Sequence, residues 1–246
     1  MVGVAPKPTR DQFLDKLRGV EMTVRSATHP FEDSNAESSR GVVNWLVTGA
    51  ICLFTDEDGD DTELWGQPGL GLGDARQIDD GELQLPIFHT GGVTVHLTQV
   101  ADAWAVLEAR DVGSGAFAAL IDRETGYLRD DLSVYDDDAE AASSLVIIDR
   151  ARIADRWRGQ GGIGRLLIEQ AISLVAQPAG MSMAALEAHP YLDQVDDPVA
   201  SPEAIAATER IWASLGFTRV DNGRLFIRST ARENLFDEVA QRLGLS

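Results

Sequence analysis

The chain has 246 residues, of which 44% are apolar and 25% charged, an ordinary globular composition with ample material for a core. Its 40 acidic residues against 21 basic ones give a net charge of −19, which argues against a nucleic-acid backbone or an anionic membrane surface as partner. A lone cysteine, Cys52, excludes an internal disulfide and a thiolate metal cluster.

The N-terminal stretch "MVGVAPKPTRDQFLDKLR" has no apolar h-region. The longest apolar run, Val42 to Phe54, is interrupted by Asn44, Thr48 and Gly49 and is too short to span a bilayer. A cytoplasmic location is the expectation. In chain order, "RDQFLDKLRG" (10–19) reads as a short amphipathic helix with Phe13, Leu14 and Leu17 inward. Residues 26–40 are polar and turn-rich and read as loop. The run from Val42 to Gln67 reads as a β-hairpin with Asp58-Gly59 at its turn, Leu53-Phe54 before it and Leu64-Trp65 after it. The acidic tip, Asp56 to Glu63, places Gly59 at position four rather than the sixth position that a calcium loop requires, so a solvated turn is expected. "GLGLGD" from residue 69 has no helix pattern after it and reads as loop.

From residue 93 the texture changes. "VTVHLTQV" alternates as a strand; "ADAWAVLEARD" and "GSGAFAALIDRETG" read as short helices; "DDLSVYDDDAEAAS" reads as an acidic connector. Ser144 to Ile153 is a β-rich run, and Ile163 to Ala176 a helix with Leu166, Leu167, Gln170, Ala171 and Leu174 inward. "MSMAALEAHP" is a further strand. Ser201 caps a helix with Pro202 in its first position, Ile205, Thr208, Trp212 and Leu215 inward, and Gly216 as its stop. "FTRV" and "GRLFIRST" form a terminal hairpin, followed by the helix "ARENLFDEVAQRLGL". Strands alternating with helices predict a mixed α/β (α+β) class.

The chemistry concentrates in "RWRGQGGIGRLL", Arg156 to Leu167. Glycines free backbone N–H groups to converge on phosphate oxygens, and the helix beginning near Ile163 turns its positive end toward them. Arg158 and Arg165 add positive charge. Gly159, Gly161 and Gly164 spell the dinucleotide signature, but that turn follows directly on an apolar strand, and here "DRARIADRWR" intervenes. One feature favours a dinucleotide: Glu187, near where a ribose-binding acid belongs. A Walker A loop is excluded, since no Gly-Lys-Ser or Gly-Lys-Thr occurs and Lys7 and Lys16 are the only lysines.

"RARIADRWRGQGGIGRLLIEQAI" resembles motif A of the GNAT superfamily, the acyl-CoA-dependent N-acyltransferases. Ile153 matches the strand-end residue, Ala154 to Trp157 the link, Arg158 the first motif position, and Gly161 and Gly164 the motif glycines, with Gly162 surplus. A shifted register, Gly159, Gly162 and Gly164, keeps the spacing and loses the arginine. "ALEAHPYL" resembles the fifth strand of that fold, "ATERIWASLGFTRV" its last core helix and LGF turn, and "RLFIRST" its seventh strand. The resemblance covers residues 93–230 and implies a mixed, mostly antiparallel sheet with helices on both faces. It divides the chain into an N-terminal segment, 1–92, carrying a β-hairpin and of unknown role, and an acyltransferase domain, 93–246.

The implied cosubstrate is acetyl-CoA, held by Ile153, Arg158, Gly159, Gln160, Gly161, Gly162, Ile163, Gly164 and Arg165. A pantetheine arm would enter where the fourth and fifth strands splay, and a bulge N–H in the Ile153 region would polarise the thioester carbonyl. The family's usual general-acid tyrosine falls on Trp212, whose indole is no usable acid; Tyr191 is the nearby alternative. Asp149, Glu187 and His189 are the candidate bases, with Asp149 on the face of Ile153 by alternation. No metal is implied: His29, His89, His96 and His189 lack ligand spacing. The implied acceptor is a small-molecule or protein amine, with no nucleic acid and no membrane, and a homodimer is compatible. Two other readings are a GNAT-like acyl-CoA-binding protein with little or no transfer and a dinucleotide oxidoreductase.

Overall fold

The computed structural model describes residues 8–27, 41–56, 59–60, 64–65, 67–79, 81–109, 115–176, 181–189, 200–231 and 235–245. Nine strands form one sheet: β1 (Glu21–Ala27), β2 (Val42–Asp56), β3 (Gly59–Asp60), β4 (Arg76–Asp79), β5 (Glu82–His96), β6 (Ser144–Ile153), β7 (Ser182–Glu187), β8 (Thr218–Arg219) and β9 (Leu225–Ser229). Their order is β1-β2-β5-β6-β7-β9-β8, with β3 on β2 and β4 on β5. Among the described residues β6 and β7 are the one parallel pair; the other pairings are antiparallel. The helices are α1 (Arg10–Arg18), α2 (Ala103–Glu108), α3 (Ile163–Ala176), α4 (Pro202–Ala213) and α5 (Leu235–Leu243). The class is mixed α/β with a mostly antiparallel sheet, as expected. The boundary drawn after residue 92 falls inside β5, through which the sheet runs unbroken.

Period-two alternation divides the core between the sheet's two faces. Trp45, Val47, Val146 and Ile148 join Phe13 of α1, Leu167 of α3 and Val239 of α5 in one cluster. Val93, Val95, Leu145 and Ile147 join Leu107 of α2 with Phe117, Leu120 and Leu132 from short 3-10 turns in the other. Helical segments therefore cover both faces. Among the described residues no helix is long and apolar enough to cross a membrane, and no group of three or more His, Cys, Asp or Glu side chains is placed to hold a metal ion.

Several local expectations change. Residues 21–27, unassigned except for a loop beginning at 26, form edge strand β1, whose Met22 and Val24 alternate with Glu21, Thr23 and Arg25. Strand β3 is only two residues long, and Leu64-Trp65 lies outside any strand because Trp65 is drawn into an aromatic cluster under the glycine loop. The acidic side chains of the tip lie outside the described residues. Helix α3 buries Ile163, Ile168, Glu169, Ile172 and Ala176 besides Leu166, Leu167 and Ala171, while Gln170 is half-buried and Leu174 is 37% exposed. It packs against both the sheet and α5, so its buried arc is wider than one stripe.

The ladder between β5 and β6 shifts register where Gly91 faces Arg150 and Gly92 faces Ile148, which leaves Asp149 as a β-bulge. Gly92 makes this possible. A Cβ there would collide with the carbonyl oxygen of Ile147 and lie 2.7 Å from Cζ2 of Trp45. Gly92→Ala is expected to lower stability by about 1–3 kcal/mol through overpacking. Urea unfolding measures it, and an unchanged midpoint would show that the ladder yields without cost.

Candidate active site

Strand β6 and strand β7 run side by side from Ser144 opposite Ser182 to Ile148 opposite Leu186. Beyond that pair β6 continues to Ile153, while β7 ends at Glu187. The strands part at the bulge. A cleft of about 930 Å³ opens there, floored by Ile148, Ala151, Ile153 and Leu186 and bounded by the glycine loop on one side and α4 on the other.

The link from β6 to α3 is anchored from below. Ala154 N–H donates to the carbonyl of Ile87 at 2.8 Å, and a 3-10 turn spans Asp155–Trp157. Trp157 is buried, and its indole N–H donates to the carbonyl of Leu70 at 2.8 Å. Its ring stands edge-on to Phe13 (centroids 4.7 Å apart) and stacks on Trp65 at 5.7 Å. Arg156 N–H donates to the Gly69 carbonyl at 2.9 Å, and its guanidinium to Gln67 Oε1 at 2.9 Å. Residues before 92 thus form the bed of the loop, and the "GLGLGD" turn is part of it.

Above that bed the backbone makes left-handed steps at Gly159 and Gly161, both at φ +73°, then reaches +118° at Gly162. An L side chain rarely adopts that last value, so Gly162 is a conformational requirement as well as an insertion. Helix α3 starts at Ile163; the N–H groups of Arg165 and Leu166 donate to the Gly162 carbonyl at 2.9 and 3.1 Å, so the N–H groups of Ile163 and Gly164 are the ones that the helix ladder does not use. Gly164 sits in that turn, where a Cβ would lie 3.9 Å from Cδ1 of Ile153. Every predicted cofactor-binding residue except Gln160 lines the cleft; the Gln160 side chain turns back to the Arg156 carbonyl at 3.3 Å. Arg158 also folds back, donating to the Ile153 carbonyl at 3.2 Å and pairing with Asp155 at 3.1 Å. The Arg165 guanidinium lies beside Gly162.

The bulge is at Asp149, not in the Ile153 region, where Ile153 pairs regularly with Phe88. The bulge also resets the alternation from which Asp149 and Ile153 were placed on one face. Asp149 and His189 are exposed and Glu187 half-buried, and all three line the cleft. Glu187 lies 3.7 Å from Arg224. Tyr191 lies outside the described residues. Trp212 is half-buried, edge-on to Phe217 at 5.5 Å, and borders the cleft with Thr208, Ile211 and Leu215. Ser201 caps α4 as expected, with its side chain accepting from Ala204 N–H, yet the helix buries none of its residues. On its cleft side Ile211 is 46% exposed, while Trp212 packs against the core.

Two features escaped the sequence reading. Arg150 and Arg152 also line the cleft. Arg228 and Glu169 form a buried pair at 2.8 Å that ties β9 to α3, and Arg228 also donates to the Leu215 carbonyl at 2.8 Å beyond α4. Burial raises the Glu169 carboxyl above its ordinary pKa, against the pull of Arg228.

No protein-family model and no curated protein matches the chain. A solved structure described as "The crystal structure of KacTA-DNA complex" aligns with 92% of this chain and 100% of its own, at 9% identity and a TM-score of 0.34, a likeness too small to carry an argument.

Proposed function

We propose that the chain is an acyl-CoA-dependent N-acyltransferase of GNAT type, transferring an acetyl group from acetyl-CoA to an amine. One observation carries this reading: the opening between two parallel strands lies directly beside a positive-φ glycine loop at a helix N-terminus. A pyrophosphate fits the loop, where backbone N–H groups, the helix dipole and Arg165 supply positive potential. A pantetheine arm fits the parted strands, with Ile148, Ala151 and Leu186 as its apolar walls. The thioester then lies near the Asp149 bulge, and a backbone N–H of that bulge is the donor that would polarise its carbonyl. Asp149, Glu187 and His189 line the cleft and are the candidates to take the proton of an attacking amine.

A dinucleotide site has less support. Its glycine turn follows directly on a strand of a doubly wound parallel sheet, whereas Ala154 and the Asp155–Trp157 turn intervene here and β6–β7 is the one parallel pair among the described residues. Acetyl-CoA at a hundred times its Kd is expected to stabilise the protein by about 2.7 kcal/mol, a melting shift of about 5–10 °C for a chain of this size. NADH is expected to produce no shift. Stabilisation by NADH alone would sink the proposal.

Trp212 supports a second reading, an acyl-CoA-binding protein with little transfer, because it occupies the family's general-acid position and its indole cannot serve. Transfer to a panel of amines, lowered by Asp149→Ala or Tyr191→Phe, separates the two readings. Tight acetyl-CoA binding with no transfer favours the second.

A further inference from the structure

On the sheet face turned away from α3, strand register aligns two cross-strand rows. Arg25 faces Leu46, Leu46 faces Gly91, and Gly91 faces Arg150. In the next row Thr23 faces Thr48, Thr48 faces His89, and His89 faces Arg152. Alternation fixes the face. Trp45 and Val47 of β2 and Ala151 and Ile153 of β6 pack on the α3 side, so their neighbours Leu46, Thr48, Arg150 and Arg152 point the other way. Gly91 leaves a gap in its row: a Cβ there would lie 3.6 Å from Cδ1 of Leu46 and 3.7 Å from Nε of Arg150. The Arg150 guanidinium therefore lies over that gap.

Arg76 of β4 belongs to the same neighbourhood. Burial, with Arg152, Arg76 and Arg150 nearby, holds the His89 imidazole below its ordinary pKa, so at neutral pH it offers a neutral hydrogen-bonding edge. Acidic groups on this face gather further along the strands, where Gln84 donates to Glu21 at 3.0 Å and Glu82 bonds Cys52. Asp149 stands at the bulge beside Arg150. In a chain of net charge −19, converging arginines make a local positive field on an acidic molecule. Arg150 and Arg152 also line the cleft, so the basic rows lead to its opening.

We propose that these rows bind a carboxylate of the acyl acceptor, which makes the acceptor an amine that carries an acid group. The inference rests on the acyltransferase reading. Arginine forks match carboxylates in a way that a cationic amine cannot use. The acceptor nitrogen attacks the thioester carbon and forms the N–C bond. The C–S bond breaks, and the proton lost by nitrogen ends on the CoA thiol.

The test begins with acetyl-CoA binding to the wild-type protein by calorimetry. Transfer is then measured to an amino acid, its C-terminal amide and a diaminoalkane. The amino acid is expected to be used at least about tenfold better, in kcat/KM, than the other two. Arg150→Gln is expected to raise the KM for the amino acid by about tenfold or more, the scale of a lost charge-assisted hydrogen bond. It should leave the KM for the amide and the acetyl-CoA Kd unchanged, and Arg150→Lys should recover part of the loss. Equal or better use of the amide or diamine overturns the proposal. So does no transfer to any of the three, or an Arg150→Gln loss shared equally by amino acid and amide. A protein that binds no acetyl-CoA sinks the acyltransferase reading itself, whereas acetyl-CoA binding with a preference for the diamine sinks only the acidic acceptor.

Discussion

Arg228→Met is expected to lower stability by about 3–5 kcal/mol at neutral pH, because removing one partner of a buried pair strands the other charge. Arg228 is 2% exposed and Glu169 8%, so solvent screens neither. The guanidinium meets both oxygens of Glu169, at 2.8 and 2.9 Å, and also holds the Leu215 carbonyl and sits 4.9 Å over the Phe217 ring. Its loss leaves three elements without their common bond. The deficit should depend on pH with a definite sign. Burial raises the Glu169 carboxyl in the folded protein, and Arg228 opposes that rise. Without Arg228 the folded-state pKa climbs further. Below the unfolded value of 4.5 both states hold the proton and a neutral Glu169 is tolerated. As pH rises through the window between the unfolded and folded values, the unfolded state loses its proton first and folding stability falls. The variant's deficit is therefore smallest in acid and grows toward neutrality. Urea unfolding of wild type and variant at several pH values measures it, with the background from the remaining acidic groups cancelling in the difference. Arg228→Met combined with Glu169→Gln should lose this pH dependence. A deficit that is flat with pH would show that the pair contributes through packing rather than charge.

The elements that carry the cleft were legible where one local signal decided them. Ser144–Ile153 and Ile163–Ala176 match the expected runs, and α4 begins at its Ser201-Pro202 cap. The bulge at Asp149 was not legible, because it depends on Gly92 admitting a carbonyl across the ladder from a strand more than fifty residues away in sequence. The Arg228–Glu169 pair is hidden for the same reason: its partners are 59 residues apart, and Glu169 lies in a helix stretch that reads as ordinary amphipathic sequence. The basic rows need four strands in register before Arg25 and Arg150 fall in one cross-strand row on the same face. Strand β1 did have a local signal, the alternation in "EMTVRSA", which the polar run after it obscured. The candidate site was read almost entirely from the glycine loop, whereas α4's half-buried cleft side and the loop's aromatic bed are products of tertiary packing.

That bed leads to the second large effect. Trp157→Ala is expected to cost about 3–5 kcal/mol as a buried-aromatic truncation, which alone would not separate a functional role from a structural one. Trp157→Phe is the sharper variant. It keeps a ring against Phe13 and Trp65 but removes the donor to the Leu70 carbonyl, leaving a buried acceptor unsatisfied at about 1–3 kcal/mol. The strain falls at the base of the loop, between Arg156, held by Gly69, and the left-handed step at Gly159. If the loop cradles a pyrophosphate, its N–H groups lose their convergence and acetyl-CoA binds about tenfold more weakly, equivalent to about 1.4 kcal/mol. S-acetyl-pantetheine has no pyrophosphate and touches only the parted strands, so its KM should be unchanged by the same substitution. The ratio of the two effects is the diagnostic quantity. An equal loss for both donors would mean that Trp157 supports the fold in general. No loss for acetyl-CoA, in a variant that is less stable, would mean that the glycine loop does not hold the pyrophosphate. A selective loss would make the segment before residue 92 the foundation of the cofactor site, with Phe13, Trp65 and Leu70 acting on a nucleotide that they do not touch.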